Sequence, residues 1–79
     1  MPTTADYVRI ADDIVAAVHT GRLKSGDKLP SIAELEEIHE VSPSTIKMAY
    51  VRLEGLRVIR RHQGKGVFVN DPRLWMREP

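Results

Sequence analysis

Two helix-start signatures lie almost end to end in this chain, and their spacing limits the fold more than any other feature. The first is Ser31-Ile32-Ala33-Glu34, a capping box in which the serine hydroxyl and the glutamate three residues later satisfy each other's unpaired N–H groups. Leu35 and Ile38 supply its apolar stripe, and the helix is expected to end near His39-Glu40. The second begins at Ser42-Pro43. Serine is a strong N-cap, and proline fits the first helical position because its missing N–H has no partner there anyway. Val41 before the cap and Ile46 after it can close a hydrophobic staple. Two short helices joined this tightly are expected to form a helix-turn-helix.

Helical periodicity carries the second helix on to Leu53. Ile46, Ala49, Tyr50 and Leu53 recur at helical spacing and must face a core, whereas Ser44, Lys47, Met48 and Val51 face away, with Thr45 at the side. Hydroxyls and a cation therefore stand at the positive end of the helix dipole, suited to phosphates and base edges. A polar first turn also solvates any surface helix, so the neighbours decide its meaning.

Upstream, a helix is expected from about Ala5 to Thr20, with Tyr7, Ile10, Ala11, Ile14, Ala17 and Val18 on one face. Asp6 and His19 sit at the ends the dipole prefers, and Gly21 closes the helix. Residues 1–4 are expected to be loose. Leu23 and Leu29 anchor the connection that follows, and Lys28-Leu29 can add a short strand. Downstream, two β-rich runs, Val58 to His62 and Val67 to Val69, flank the turn Gln63-Gly64-Lys65-Gly66, which reads as a β-hairpin. Val67 and Val69 point to one face and Phe68 to the other. Arg60, Arg61 and His62 on one strand and Lys65 at the tip make the hairpin cationic, although a basic edge strand also resists aggregation. In the tail, Trp75 can fold back on the first helix, pair with a second subunit, or face something absent.

Charge supports the same division. Residues 1–40 carry four basic and eight acidic side chains, a net −4, whereas residues 41–69 carry six basic residues against Glu54, a net +5. A basic half-domain is the usual footprint of a polyanion partner. Seventy-nine residues allow one small domain, and the chain has no cysteine to staple it or bind a metal. No metal partner is spaced to join His19. No apolar run is long enough for a transmembrane helix, and no signal-peptide pattern opens the chain. No nucleophile–base pair and no phosphate-cradling Gly-x-x-x-x-Gly-Lys loop occurs, so neither an enzyme nor a cofactor is expected.

The order of elements is that of a winged helix-turn-helix: mainly α with a small β-hairpin (α+β), three helices plus a two- or three-stranded wing. It is expected to fill residues 5–70, with 71–79 as a short C-terminal tail. Particular residues resemble one family. Tyr7-x-x-Ile10-Ala11-x-x-Ile14, Gly21-x-Leu23-x-x-Gly26-Asp27-x-Leu29-Pro30-Ser31 and Leu35 resemble the N-terminal domain of GntR-type bacterial repressors. So do Val41-Ser42-x-x-Thr45-Ile46-x-x-Ala49, Leu53-Glu54 and Gln63-Gly64-Lys65-Gly66-x-Phe68-Val69. The match runs from about Tyr7 to Val69 and looks most like the YtrA-type or HutC-type branch.

The resemblance implies double-stranded DNA as partner, with the third helix in the major groove and the wing in the minor groove. The matching positions are Ser31, Ser42, Ser44, Thr45 and Lys47 on the helices, and Arg61, His62, Gln63, Gly64 and Lys65 in the wing. Three departures stand out. Ala33 replaces a frequent arginine, Pro43 stands where many members have arginine, and Arg57 stands where most have glycine. Members usually continue into a ligand-sensing or dimerising domain, whereas ten residues follow Val69 here. The chain is therefore expected to be either a stand-alone DNA-binding protein or a fragment. The leading expectation is a cytoplasmic, nucleoid-associated repressor. It would be a monomer or weak homodimer whose pairing is favoured on DNA, on an operator that can be an inverted repeat. The alternatives are a phage- or plasmid-type excisionase-like factor, or a winged helix used for protein–protein contact.

Overall fold

The computed structural model describes residues 6–76; the expectations for residues 1–5 and 77–79 lie outside it. Three helices come first: α1 (Asp6–His19), α2 (Ile32–His39) and α3 (Pro43–Gly55). An antiparallel hairpin of β1 (Ile59–His62) and β2 (Gly66–Val69) follows, then a 3-10 turn at Pro72–Leu74. This is a winged helix-turn-helix.

α3 organises the core. Its buried stripe is Ile46, Ala49, Tyr50 and Leu53, as its spacing requires. α1 packs on this stripe through Ile10, Ala11 and Ile14, and α2 through Leu35. Leu29, Val58, Ile59 and Val69 close the other side. One contact fixes α2 against α3 directly. The Tyr50 hydroxyl donates to the Pro30 carbonyl at 2.7 Å, just before the Ser31 cap.

Both caps form as expected. Ser31 Oγ accepts from Glu34 N at 3.1 Å, and Ser31 N donates to Glu34 Oε1 at 2.9 Å. Ser42 Oγ accepts from Thr45 N at 3.4 Å with Pro43 at the helix start. The turn between α2 and α3 is made by Glu40 in the left-handed region, φ 56°. The Glu40 and Val41 N–H groups both donate to the Glu36 carbonyl, which closes α2 without a glycine.

The hairpin has two strands. The third contribution expected from Lys28-Leu29 is a single bridge, Lys28 opposite Phe68. The outer edge of β2 is nonetheless paired along its length: Leu29 N donates to Val67 O, Gly26 N to Val69 O, and Val69 N to Asp27 O. Trp75 takes the first of its three expected positions. Its ring meets His19 of α1 edge-on at 5.6 Å, and its Nε1 donates to Asn70 O.

One core assignment is corrected. Ile38 was expected to share a buried stripe with Leu35, but it is 65% exposed. α2 is only two turns long, and the side it turns inward runs through Ile32, Leu35, Glu36 and His39. At 100° per residue Ile38 falls about 110° from the centre of that side, at the rim of a shallow groove shared with Leu23 and Leu29.

The end of α3 explains the Arg57 departure. The helix runs through Gly55, and the left-handed position falls at Arg57, φ 60°. The Val58 N–H then reaches back to the Leu53 carbonyl, and the Arg57 carbonyl accepts from Asn70 Nδ2. A side chain in this region costs about 1 kcal/mol, which glycine avoids. Arg57→Gly is therefore expected to stabilise the domain by about 1 kcal/mol, raising Tm by roughly 4–8 °C for a domain of this size. A melt with an unchanged or lower Tm counts against this account.

Candidate nucleic-acid interface

The expected site residues fall into two groups, and the fold brings each together by a different route. The first occupies the opening turns of α3. Ser42 spends its hydroxyl as acceptor on the Thr45 N–H, and the two hydroxyls lie 3.2 Å apart. Thr45 is half-buried beside this cap, while Ser44 and Lys47 are exposed. The helix opens with Pro43, and the Thr45 and Ile46 N–H groups are spent on Ser42, so Ser44 and Lys47 are the polar side chains it turns outward. Further along that face Met48 and Val51 are exposed, at 49% and 66%.

The second group lines a groove of about 770 Å³ between the start of α2 and the wing. Ser31, Arg61, Gly64 and Lys65 all border it, with Tyr50 between them. Ser31 is pinned by its capping box, and donation from its own N–H holds the Glu34 carboxyl below the usual carboxylate range. Gln63 and Lys65 are exposed in the tip, which is closed by the Lys65 N–H to His62 carbonyl bond at 2.9 Å. Gly64 takes φ 79° there, a conformation that glycine adopts without penalty.

His62 lies apart from this group. Strand alternation puts Arg61 on the face toward α3, and Arg60 and His62 on the outer face around Phe68. The His62 ring meets Phe68 edge-on at 6.3 Å, and the Arg60 guanidinium lies 5.8 Å from the Phe68 centroid. Arg60 is further tied to the Val69 carbonyl and Asn70 Oδ1. The wing therefore carries cations on both faces, but only Arg61 and Lys65 turn into the groove.

Lys28 and Glu54 escaped the reading of the sequence as site residues. Lys28 enters the groove because its bridge to Phe68 carries its side chain across Gly66. A Cβ at Gly66 would lie 2.6 Å from Lys28 Cε, so a side chain there would push the flexible end of Lys28 aside. The strand-like Lys28-Leu29 pair was the available signal. Glu54 holds Arg61 through a two-pronged bond, Nη2 to Oε1 at 2.7 Å and Nε to Oε2 at 3.3 Å. That bond raises the guanidinium above its ordinary pKa. No sequence signal pointed to this pair.

Three cations, Lys28, Arg61 and Lys65, thus border one groove against the single carboxylate of Glu34. Such a surface attracts a polyanion more than a neutral ligand. Among the described residues, no cluster of three or more His, Cys, Asp or Glu is placed to hold a metal ion. No described helix is long and apolar enough to cross a membrane.

Comparison with known proteins agrees with this geometry. Residues 6–69 match the family model described as bacterial regulatory proteins, gntR family. The HTH-type transcriptional repressor YtrA of Bacillus subtilis (strain 168) is 33% identical over 69 residues, which is 87% of this chain and 53% of the repressor. A crystal structure of a transcriptional regulator from Oenococcus oeni superposes with a TM-score of 0.84 at 34% identity, covering 89% of this chain and 58% of that one. The DNA-binding domain of AraR in complex with operator ORR3 superposes with a TM-score of 0.77 at 26% identity, covering 87% of this chain and 89% of that one. The chain spans about half the length of the curated relatives it matches.

Proposed function

Because this chain belongs to the GntR family of bacterial regulatory proteins, we propose that it is a transcriptional repressor domain that reads double-stranded operator DNA with α3 in the major groove and the wing tip in the minor groove. The observation that carries this is the cationic groove of Lys28, Arg61 and Lys65 beside the exposed, polar first turns of α3. The operator complex of the AraR domain supports DNA as the partner, and the name of YtrA supports repression. Ser44 and Lys47 reach base edges and phosphates from α3. Ser31 and the start of α2 meet the backbone. Gln63, Gly64 and Lys65 enter the minor groove, where only a slim tip fits and cations meet a strong negative potential. Ser42 and Thr45 act through the cap that shapes the first turn. His62, on the outer face of the wing, contributes charge at longer range. One domain covers only a short half-site, so two copies pair on the DNA rather than in solution. The work is done in the cytoplasm, on the bacterial chromosome.

Selection of bound duplexes from a random library tests this reading. An enriched inverted repeat is the expected result, and failure to enrich any sequence would overturn it. On the selected site, Lys47→Ala is expected to lower the salt slope by about one unit, as one phosphate contact is lost. Ser44→Ala is expected to cost ~1–3 kcal/mol and relax one position of the site. Unchanged binding in both variants removes α3 from the interface.

A further inference from the structure

Arg61 stands near the tip of the wing, one residue before the His62–Gly66 pair that closes the hairpin. Glu54 is the penultimate residue of α3, at the end of that helix farthest from its Ser42 cap. The Arg61 guanidinium is nevertheless turned back toward the helix and grips both carboxylate oxygens, at 2.7 and 3.3 Å. The two side chains remain 53% and 32% exposed, so the pair meets solvent and its charges are open to competition.

From this geometry we propose that Glu54 is a positioning residue that holds Arg61 back from the wing tip, so that the carboxylate competes with DNA phosphate for the guanidinium and limits the affinity of the wing. The inference rests on the DNA-binding reading above and adds a restraint within the protein to it. An exposed ion pair is weak, so a phosphate can displace Glu54 at small cost. The pair therefore attenuates binding without blocking it. The attenuation is independent of sequence, because phosphate contacts carry no base information. A regulator gains from such a restraint, since weaker contact with random DNA leaves more of the discrimination to α3.

The test is a titration of a random-sequence duplex by the wild type, Glu54→Gln, Arg61→Ala and the double variant, across roughly 50 to 200 mM salt. Glu54→Gln is expected to bind about three- to fivefold tighter, with a nearly unchanged salt slope because Arg61 reaches phosphate in both proteins. In the Arg61→Ala background the same substitution is expected to change affinity less than about twofold, because the guanidinium that it would release is gone. Glu54→Ala, which also removes the hydrogen-bond acceptor, must reproduce the gain. Circular dichroism melts verify that each variant is folded. Unchanged or weaker binding by folded Glu54→Gln overturns the proposal. So does a gain that persists without Arg61, which would mean simple charge repulsion by Glu54. A wild type that binds no duplex at all overturns the DNA-binding reading and this one together.

Discussion

Leu53→Ala is expected to cost ~2–5 kcal/mol of folding stability. Leu53 is 0% exposed, between the α1 face of Ile10 and Ile14 and the strand residues Ile59 and Val69. Truncation removes the buried methyl groups and leaves a void that rigid neighbours on several elements cannot all close. The wing and α1 both pack on α3, so the loss is felt by the whole domain. Small domains have only ~5–15 kcal/mol in total, and this one has no disulfide to compensate. Urea unfolding reads the effect as a lower midpoint at unchanged slope. Val51→Ala on the same helix is the control, because Val51 is 66% exposed and its truncation is expected to stay within about 0.5 kcal/mol. Equal losses in the two variants mean that the buried face of α3 is wrongly assigned.

That face was legible before any coordinates, for a local reason. A helix start writes its chemistry within four residues, as Ser42-Pro43 and the Ser31–Glu34 pair do, and an amphipathic helix repeats its signal with every turn. The hairpin was legible from β-rich runs around glycines that adopt positive φ at Gly64 and Gly66. Ile38 misled because α2 offers only two turns, so spacing alone cannot tell an inward residue from one a third of a turn away. Arg57 shows another limit. The left-handed position follows from where α3 stops, and it falls on Arg57 although Gly55 lies two residues earlier. The pairing of Arg61 with Glu54 and the crossing of Lys28 over Gly66 could not be read at all. Each joins residues on different elements, and only the docking of the wing against α3 and the α1–α2 connection brings them together. The candidate interface is thus legible where it is built from one helix and obscure where it is built between elements.

Raising the pH from 10 toward 12 is expected to remove ~2–3 kcal/mol of stability through one hydroxyl. Burial pushes the Tyr50 phenol from its ordinary value of 10.0 up to about 12; the guanidinium of Arg61 opposes the shift and Glu34 adds to it. The sign follows from proton counts. Above pH 10 the unfolded chain loses the Tyr50 proton while the folded domain keeps it, so the unfolded state binds fewer protons and stability falls as pH rises. The contribution is fully present below pH 10, falls by about 1.4 kcal/mol per pH unit, and is exhausted above about 12. Ionisation also breaks a contact, because a tyrosinate cannot donate to the Pro30 carbonyl at 2.7 Å. That bond sets the start of α2, and with it Ser31, against α3. Alkaline unfolding should therefore loosen the groove wall as well as the core. Tyr50→Phe isolates the contribution of this hydroxyl. At pH 8 it is expected to cost about 1 kcal/mol, the usual worth of one hydrogen bond. Between pH 10 and 12 its stability should fall less steeply than that of the wild type, by about 1.4 kcal/mol per pH unit. Parallel pH profiles for the two proteins would mean that Tyr50 ionises as readily folded as unfolded, and that its hydroxyl does not hold α2 in place.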